Sequence, residues 1–298
     1  MTDSADPLVA YLTENPPKDV FDLRQILDGF METSNSILPE IGEFHDDVLI
    51  ESHPDQDLTV DIHRPKGDGP FPILIYLHGG GWILGSPKTH RRLGFRFAEQ
   101  GYLVFNVHYR LAPEAPFPAG FDDCVTALEW VLAHGTEYGG DTSRIAMGGD
   151  SAGGNLTAAV TTHAAAADQI KAALLIYPAM DFAAMDAPAA DTPDFNATMM
   201  DMMVESYIGH DKANLIKDSR VSPILSAADL PEVLITCGTA DTLMEDCRRI
   251  EEVLTANGKK VETDYYDDMP HGFCQLEEFF PQAQESIDKM VDFLDRKL

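Results

Sequence analysis

Apolar positions in the first 40 residues recur at three- and four-residue spacings through PLVAYL and VFDLRQILDGFMETSNSIL, which predicts one or two amphipathic helices. DDVLIESH and DLTVDIHRP follow, short β-rich segments parted by PDQD, and they read as an opening antiparallel pair. From residue 71 the texture changes, and short apolar runs alternate with helical patterns. Strands are expected over FPILIYL (71–77), YLVFNVHY (102–109), RIAMGG (144–149) and IKAALLIYP (170–178), with helices near 89–99, 119–134 and 152–167. A second block holds EVLITCG (232–238), a helix over 242–257, VETDYYDD (261–268) and a closing helix near 281–296. Strands joined by long helices need crossover connections, which place helices on both faces of a largely parallel sheet.

The two blocks are parted by residues 181–230, where a loop over AAMDAPAADTPD precedes NATMMDMMVESYIG, helical in spacing, and VSPILSAADLP. A segment that interrupts a β/α series between core strands packs over the sheet as a cap. Its methionines, Met199, Met200, Met202 and Met203, read either as helix packing or as the lining of an acyl pocket, since thioethers fill irregular apolar space. The expected organisation is N-terminal cap helices over 1–45 and a catalytic domain over 46–298 that carries a cap insertion at about 181–225.

Composition narrows the function classes. Twenty-one Lys and Arg against 50 Asp and Glu give a net charge of −29, which argues against nucleic acid or an anionic membrane surface as a partner. With 44 % apolar and 24 % charged residues the chain is expected to fold. Its longest apolar runs are about half of a membrane span, and its acidic N-terminus lacks the basic start of a secretory signal, so the expected location is cytoplasmic. Cys124, Cys237, Cys247 and Cys274 form no CxxC pair, so buried reduced thiols are expected and a metal site is not. The acidity reads equally as adaptation to salt, which screens carboxylate repulsion, or as an ordinary acidic cytosolic protein.

Two glycine-rich motifs carry candidate chemistry. In GGDSAGG (148–154), Gly149, Ser151 and Gly153 form G-x-S-x-G directly after a strand and before a helix, a setting that turns the chain sharply and projects the serine hydroxyl at the tip. HGGGW (78–82) follows the apolar strand 71–77, and adjacent glycines there expose backbone amides that can hold an oxyanion. The candidate donors are Gly80, Gly81 and Ala152, with Gly79 shaping the loop.

A serine hydroxyl needs a base, and the base an orienting carboxylate. His271, in DDMPHGF, and Asp241, in CGTADTLMED, each follow a strand, and the order Ser151, Asp241, His271 has gaps of 90 and 30 residues. Glu245, Asp246 and Asp268 are the acid alternatives. His45, His53, His63, His134, His163 and His210 have no accompanying motif, and His78 reads as an organiser of the glycine loop. His90 and His108 compete less well because they precede Ser151. Asp150 reads as a supporting hydrogen-bond partner.

HGGGW, YRLAPEAPFPA (109–119), GDSAGGN (149–155), the ADTL stretch and HGF (271–273) together resemble the hormone-sensitive-lipase-like family of α/β-hydrolases, in its bacterial carboxylesterase branch. The resemblance covers nearly the whole chain. It implies an α/β-hydrolase fold with a small helical cap, Ser151 as nucleophile, Asp241 as acid, His271 as base, and Gly80, Gly81 and Ala152 as oxyanion donors. Asp-Pro-Leu, frequent at the acid motif of that family, is Asp241-Thr242-Leu243 here, and the residue before Tyr109 is His108 where the family often has an acid.

The implied reaction is hydrolysis of short to medium acyl esters through an acyl-enzyme, with no cofactor and no metal. The implied partner is a small-molecule ester, and the resemblance also admits a homodimer. Trp82 either walls the pocket beside Met199 and Met203 or packs between loop and cap. An amidase or deacetylase using the same residues, and a binding protein on the same fold that performs no catalysis, are the competing readings.

Overall fold

The computed structural model describes residues 11–12, 14, 17–34, 37–54, 56–185 and 195–298. Most of PLVAYL and most of the expected loop AAMDAPAADTPD lie outside the described residues.

Eight strands form one mixed sheet: β1 (Glu43–Glu51), β2 (Leu58–Arg64), β3 (Phe71–Leu77), β4 (Leu103–His108), β5 (Gly140–Asp150), β6 (Ile170–Ile176), β7 (Glu232–Gly238) and β8 (Val261–Tyr266). Their order is β1-β2-β4-β3-β5-β6-β7-β8. β1 pairs with β2, and β2 with β4, antiparallel, so the expected opening pair is present. From β4 to β8 every pairing is parallel.

The central strands read as continuous apolar runs because both sheet faces are covered. Along β3, Ile73, Ile75 and Leu77 enter one apolar core and Leu74 and Tyr76 the other, as the two-residue period of a strand requires. Helices α1 (Val20–Ser34), α3 (Ala119–His134) and α4 (Ala152–His163) contribute Leu23, Leu128 and Leu156 to the first core, and α5 (Phe195–Ile208) adds Val204. Helices α2 (Arg91–Glu99), α6 (Met244–Ala256) and α7 (Pro281–Asp295) contribute Leu93, Leu254 and Ile287 to the second.

Two boundaries differ from expectation by four residues. β5 begins at Gly140 because Gly140 and Asp141 pair with Phe71 and Pro72 of β3 ahead of an irregularity in the ladder. α4 stops at His163, since Ala164 takes an extended backbone and one 3₁₀ turn over Ala167–Gln169 feeds directly into β6. All four cysteines are buried free thiols. Among the described residues, no helix is long and apolar enough to cross a membrane.

His63 of β2 is fully buried, its ring beside Phe44 at 5.0 Å and Phe95 at 5.1 Å. Burial, helped by the charge of Arg91, pushes its imidazole down to about 3 from 6.5. The unfolded chain therefore takes up a proton below pH 6.5 that the folded chain refuses until about pH 3, so the contribution of neutral His63 is present above that window and lost as pH falls through it. His63→Leu is expected to flatten the acid limb of a stability profile by up to about 1.4 kcal/mol per pH unit, measured by urea unfolding between neutral pH and pH ~4.5. An unchanged slope would mean that His63 is not a proton-linked group.

Candidate active site

Ser151 alone makes the turn between β5, which ends at Asp150, and α4, which begins at Ala152. Its backbone sits at φ 54°, ψ −117°, a region costly for a residue with a side chain, while its amide still donates to Ile176 O at 2.9 Å. The flanking glycines are required by close approach: a Cβ on Gly153 would lie 1.9 Å from Leu77 O, and one on Gly149 would lie 2.4 Å from Gly153 O. The first turn of α4 thus crosses directly over the end of β3.

Asp241 follows β7 in a turn where its amide donates to Gly238 O and its Oδ1 accepts from the Leu243 amide at 2.7 Å. His271 follows β8, with Gly272 at φ 80° behind it. The Asp241 carboxyl is fully buried and lies 2.8 Å through Oδ2 from His271 Nδ1, and His271 Nε2 lies 3.0 Å from Ser151 Oγ. Three loops at the C-terminal ends of β5, β7 and β8 therefore bring together the three residues expected from sequence order. The acid alternatives are placed elsewhere: Asp246 accepts from the Met180 amide and pairs with Arg249, Glu245 is exposed, and Asp268 is exposed at the cavity's border.

The glycine loop borders the same cavity as Ser151. Gly80, at φ 123°, and Gly81, at φ 58°, border the cavity, and the Gly80 carbonyl accepts from Ile83 and Leu84. Among the described residues neither glycine amide donates a hydrogen bond, whereas the Gly79 amide is taken by Asp150 Oδ1 at 3.0 Å. Ala152 opens α4, where the helix itself leaves amides unsatisfied. His78 is buried, stacked on Tyr109 at 4.3 Å, and Tyr109 donates to His78 O at 2.7 Å, so His78 is fixed at the loop's base.

Asp150 is the residue whose reach the motifs did not disclose. Its carboxylate accepts from Tyr76 at 2.8 Å and from Gln275 Nε2 at 2.7 Å, and His90 Nε2 stands 3.2 Å away. Burial works to raise this carboxyl, yet the charge and hydrogen bond of His90 and the Tyr76 hydroxyl outweigh it and hold the carboxyl below its ordinary value. Gln275 had no signal in the sequence beyond standing four residues after His271. Arg110 and Glu114 join loops by ion pairing, Arg110 on Asp123 and Glu114 on Arg24.

A cavity of about 570 Å³ opens over Ser151 and His271. Met199 and Met203 border it, as does Met200, and α1 supplies Leu23, Leu27, Phe30 and Met31. Trp82 borders the cavity and stacks on Tyr207 of α5 at 4.9 Å with 8° between planes.

Residues 74–275 match the family model described as alpha/beta hydrolase fold, just over two thirds of the chain. The chain belongs to that family. Within the α/β-hydrolase family it is similar to Carboxylesterase NlhH of Mycobacterium tuberculosis, 36 % identical over 242 residues that cover 76 % of this chain and 74 % of that protein. Among solved structures, the esterase of the archaeon Pyrobaculum calidifontis superposes with a TM-score of 0.85 at 25 % identity, over 99 % of this chain and 97 % of that one. EstE1, a thermostable carboxylesterase cloned from a metagenomic library, superposes with a TM-score of 0.84 at 27 % identity, over 94 % of this chain and 98 % of that one.

Removing one donor from a buried carboxylate costs about 1.5–3 kcal/mol. Gln275→Ala is accordingly expected to lower unfolding stability by that amount and to lower kcat more than it raises KM, because Asp150 holds the glycine loop through Gly79. Chemical unfolding and steady-state kinetics on one preparation check both halves.

Proposed function

We propose that this carboxylic ester hydrolase works through Ser151 as nucleophile, His271 as general base and acid, and Asp241 as the carboxylate that orients it. The observation that carries the reading is the unbroken chain Ser151 Oγ, His271, Asp241, at 3.0 and 2.8 Å, on the wall of an apolar cavity. Asp241 accepts from Nδ1 and so leaves Nε2 facing the serine with its lone pair. As Oγ attacks the ester carbonyl, His271 takes the serine proton, and negative charge builds on the former carbonyl oxygen. The amides of Gly80, Gly81 and Ala152 receive that oxyanion, each such donor contributing about 3–4 kcal/mol to the transition state. Collapse breaks the bond to the alcohol, which leaves with the proton from His271. Water then repeats the sequence on the acyl-enzyme, its proton passing to His271 and on to Ser151.

The subfamily we propose is the hormone-sensitive-lipase-like one, supported by HGGGW ahead of the site and GDSAGG at the turn. The substrate class we propose is short to medium acyl esters, with α1 and α5 as the cap and Trp82, Met199 and Met203 as acyl wall. A complete triad at hydrogen-bond distance speaks against a binding protein that performs no catalysis.

Ser151→Ala is expected to abolish hydrolysis of p-nitrophenyl esters without loss of fold, and Asp241→Asn to lower kcat by about 10⁴-fold through the wrong imidazole tautomer. Rates across acyl lengths from acetate upward, with one matched amide, size the pocket and test the amidase alternative. Met203→Ala is expected to move the preferred acyl chain to greater length. A Ser151→Ala protein that retains wild-type rates would overturn the assignment.

A further inference from the structure

We propose that the site takes esters whose two halves are uncharged and rejects those that carry a free carboxylate, an inference that rests on the esterase reading above. All 21 Lys and Arg side chains belong to described residues, since the segments outside them contain none. None of the 21 borders the cavity over Ser151. The guanidinium groups on the neighbouring elements are already engaged: Arg24 of α1 holds Glu114 and the carbonyls of Ile83 and Ala112, and Arg92 of α2 holds Glu278 and the carbonyl of Ile37.

Several neutral donors are committed as well, and the Gly80 and Gly81 amides, which among the described residues are not, carry no charge. Tyr76, Gln275 and the Gly79 amide already serve Asp150, and the Thr89 hydroxyl donates to Ser86 O. Asp268 is the exposed ionisable side chain at the cavity's border, and its charge has the sign of the group it would meet. A carboxylate entering this space would shed its water and gain no cation in return, which is costly in apolar surroundings. The net charge of −29 adds a second, longer-ranged repulsion that acts during encounter.

The two contributions separate experimentally. Repulsion during encounter is screened by salt, whereas the cost of stripping a carboxylate inside the cavity is not. The test compares p-nitrophenyl pentanoate with p-nitrophenyl hemiglutarate, esters of equal acyl length that end in a methyl group and a carboxylate, on the full chain at neutral pH. The expected kcat/KM ratio favours the neutral ester by at least about 100-fold, narrows in ~0.5 M NaCl and stays well above one. Asp268→Lys is expected to narrow the ratio by about tenfold or more. Equal rates on the two esters would overturn this inference and leave the esterase reading standing, as would a wide ratio that Asp268→Lys does not move. Hydrolysis of neither ester would overturn the esterase reading and this inference together.

Discussion

The site depends on one steric constraint, the crossing of the first turn of α4 over the end of β3. Gly153 there lies so close to Leu77 O that a single added methyl group would stand 1.9 Å from it. With that approach fixed, only Ser151 is left between strand and helix, and it must adopt a backbone that side-chain-bearing residues avoid. Packing of α4 against β5 and β6 holds it there, since every residue from Ala152 to Thr161 is buried. The strain is the means by which a hydroxyl is presented at the tip of the sheet, and the rest of the fold supplies what opposes its relaxation.

From that tip the organisation spreads through a buried carboxylate. Asp150 lies one residue before Ser151, and its two oxygens collect the glycine loop through Gly79, strand β3 through Tyr76, the entry to α2 through His90, and the segment after His271 through Gln275. A buried charge is tolerable only when it is fully engaged, so each of these partners is positioned by the others. The same carboxylate absorbs donors that would otherwise face the cavity.

The cavity itself is built by elements far apart in the chain. Leu23 and Phe30 come from α1, Met199 and Met203 from α5, Leu276 and Phe280 from the stretch before α7. Arg24 joins α1 to the glycine loop by donating to Ile83 O, two residues beyond Gly81, so the wall and that loop are mechanically connected.

The sequence by itself determined the strand–turn–helix setting of Ser151, the position of the glycine loop and the order Ser151, Asp241, His271, because these rest on local rules: strand period, glycine at forced close approach, and turns after strands. Most strand limits were legible for the same reason, as β3 is an unbroken apolar run and β7 is apolar except at Glu232 and Thr236. The ends of β5 and α4 were not, since one is set by pairing with β3 and the other by where β6 must begin. Only tertiary structure decided that Asp241, and not Asp246, meets His271, that Gln275 reaches Asp150 across 125 residues, and that Trp82 both stacks on Tyr207 and borders the cavity. Those are contacts between side chains on different loops, and a side chain's direction is fixed by the packing of the elements beneath it, which no local pattern encodes.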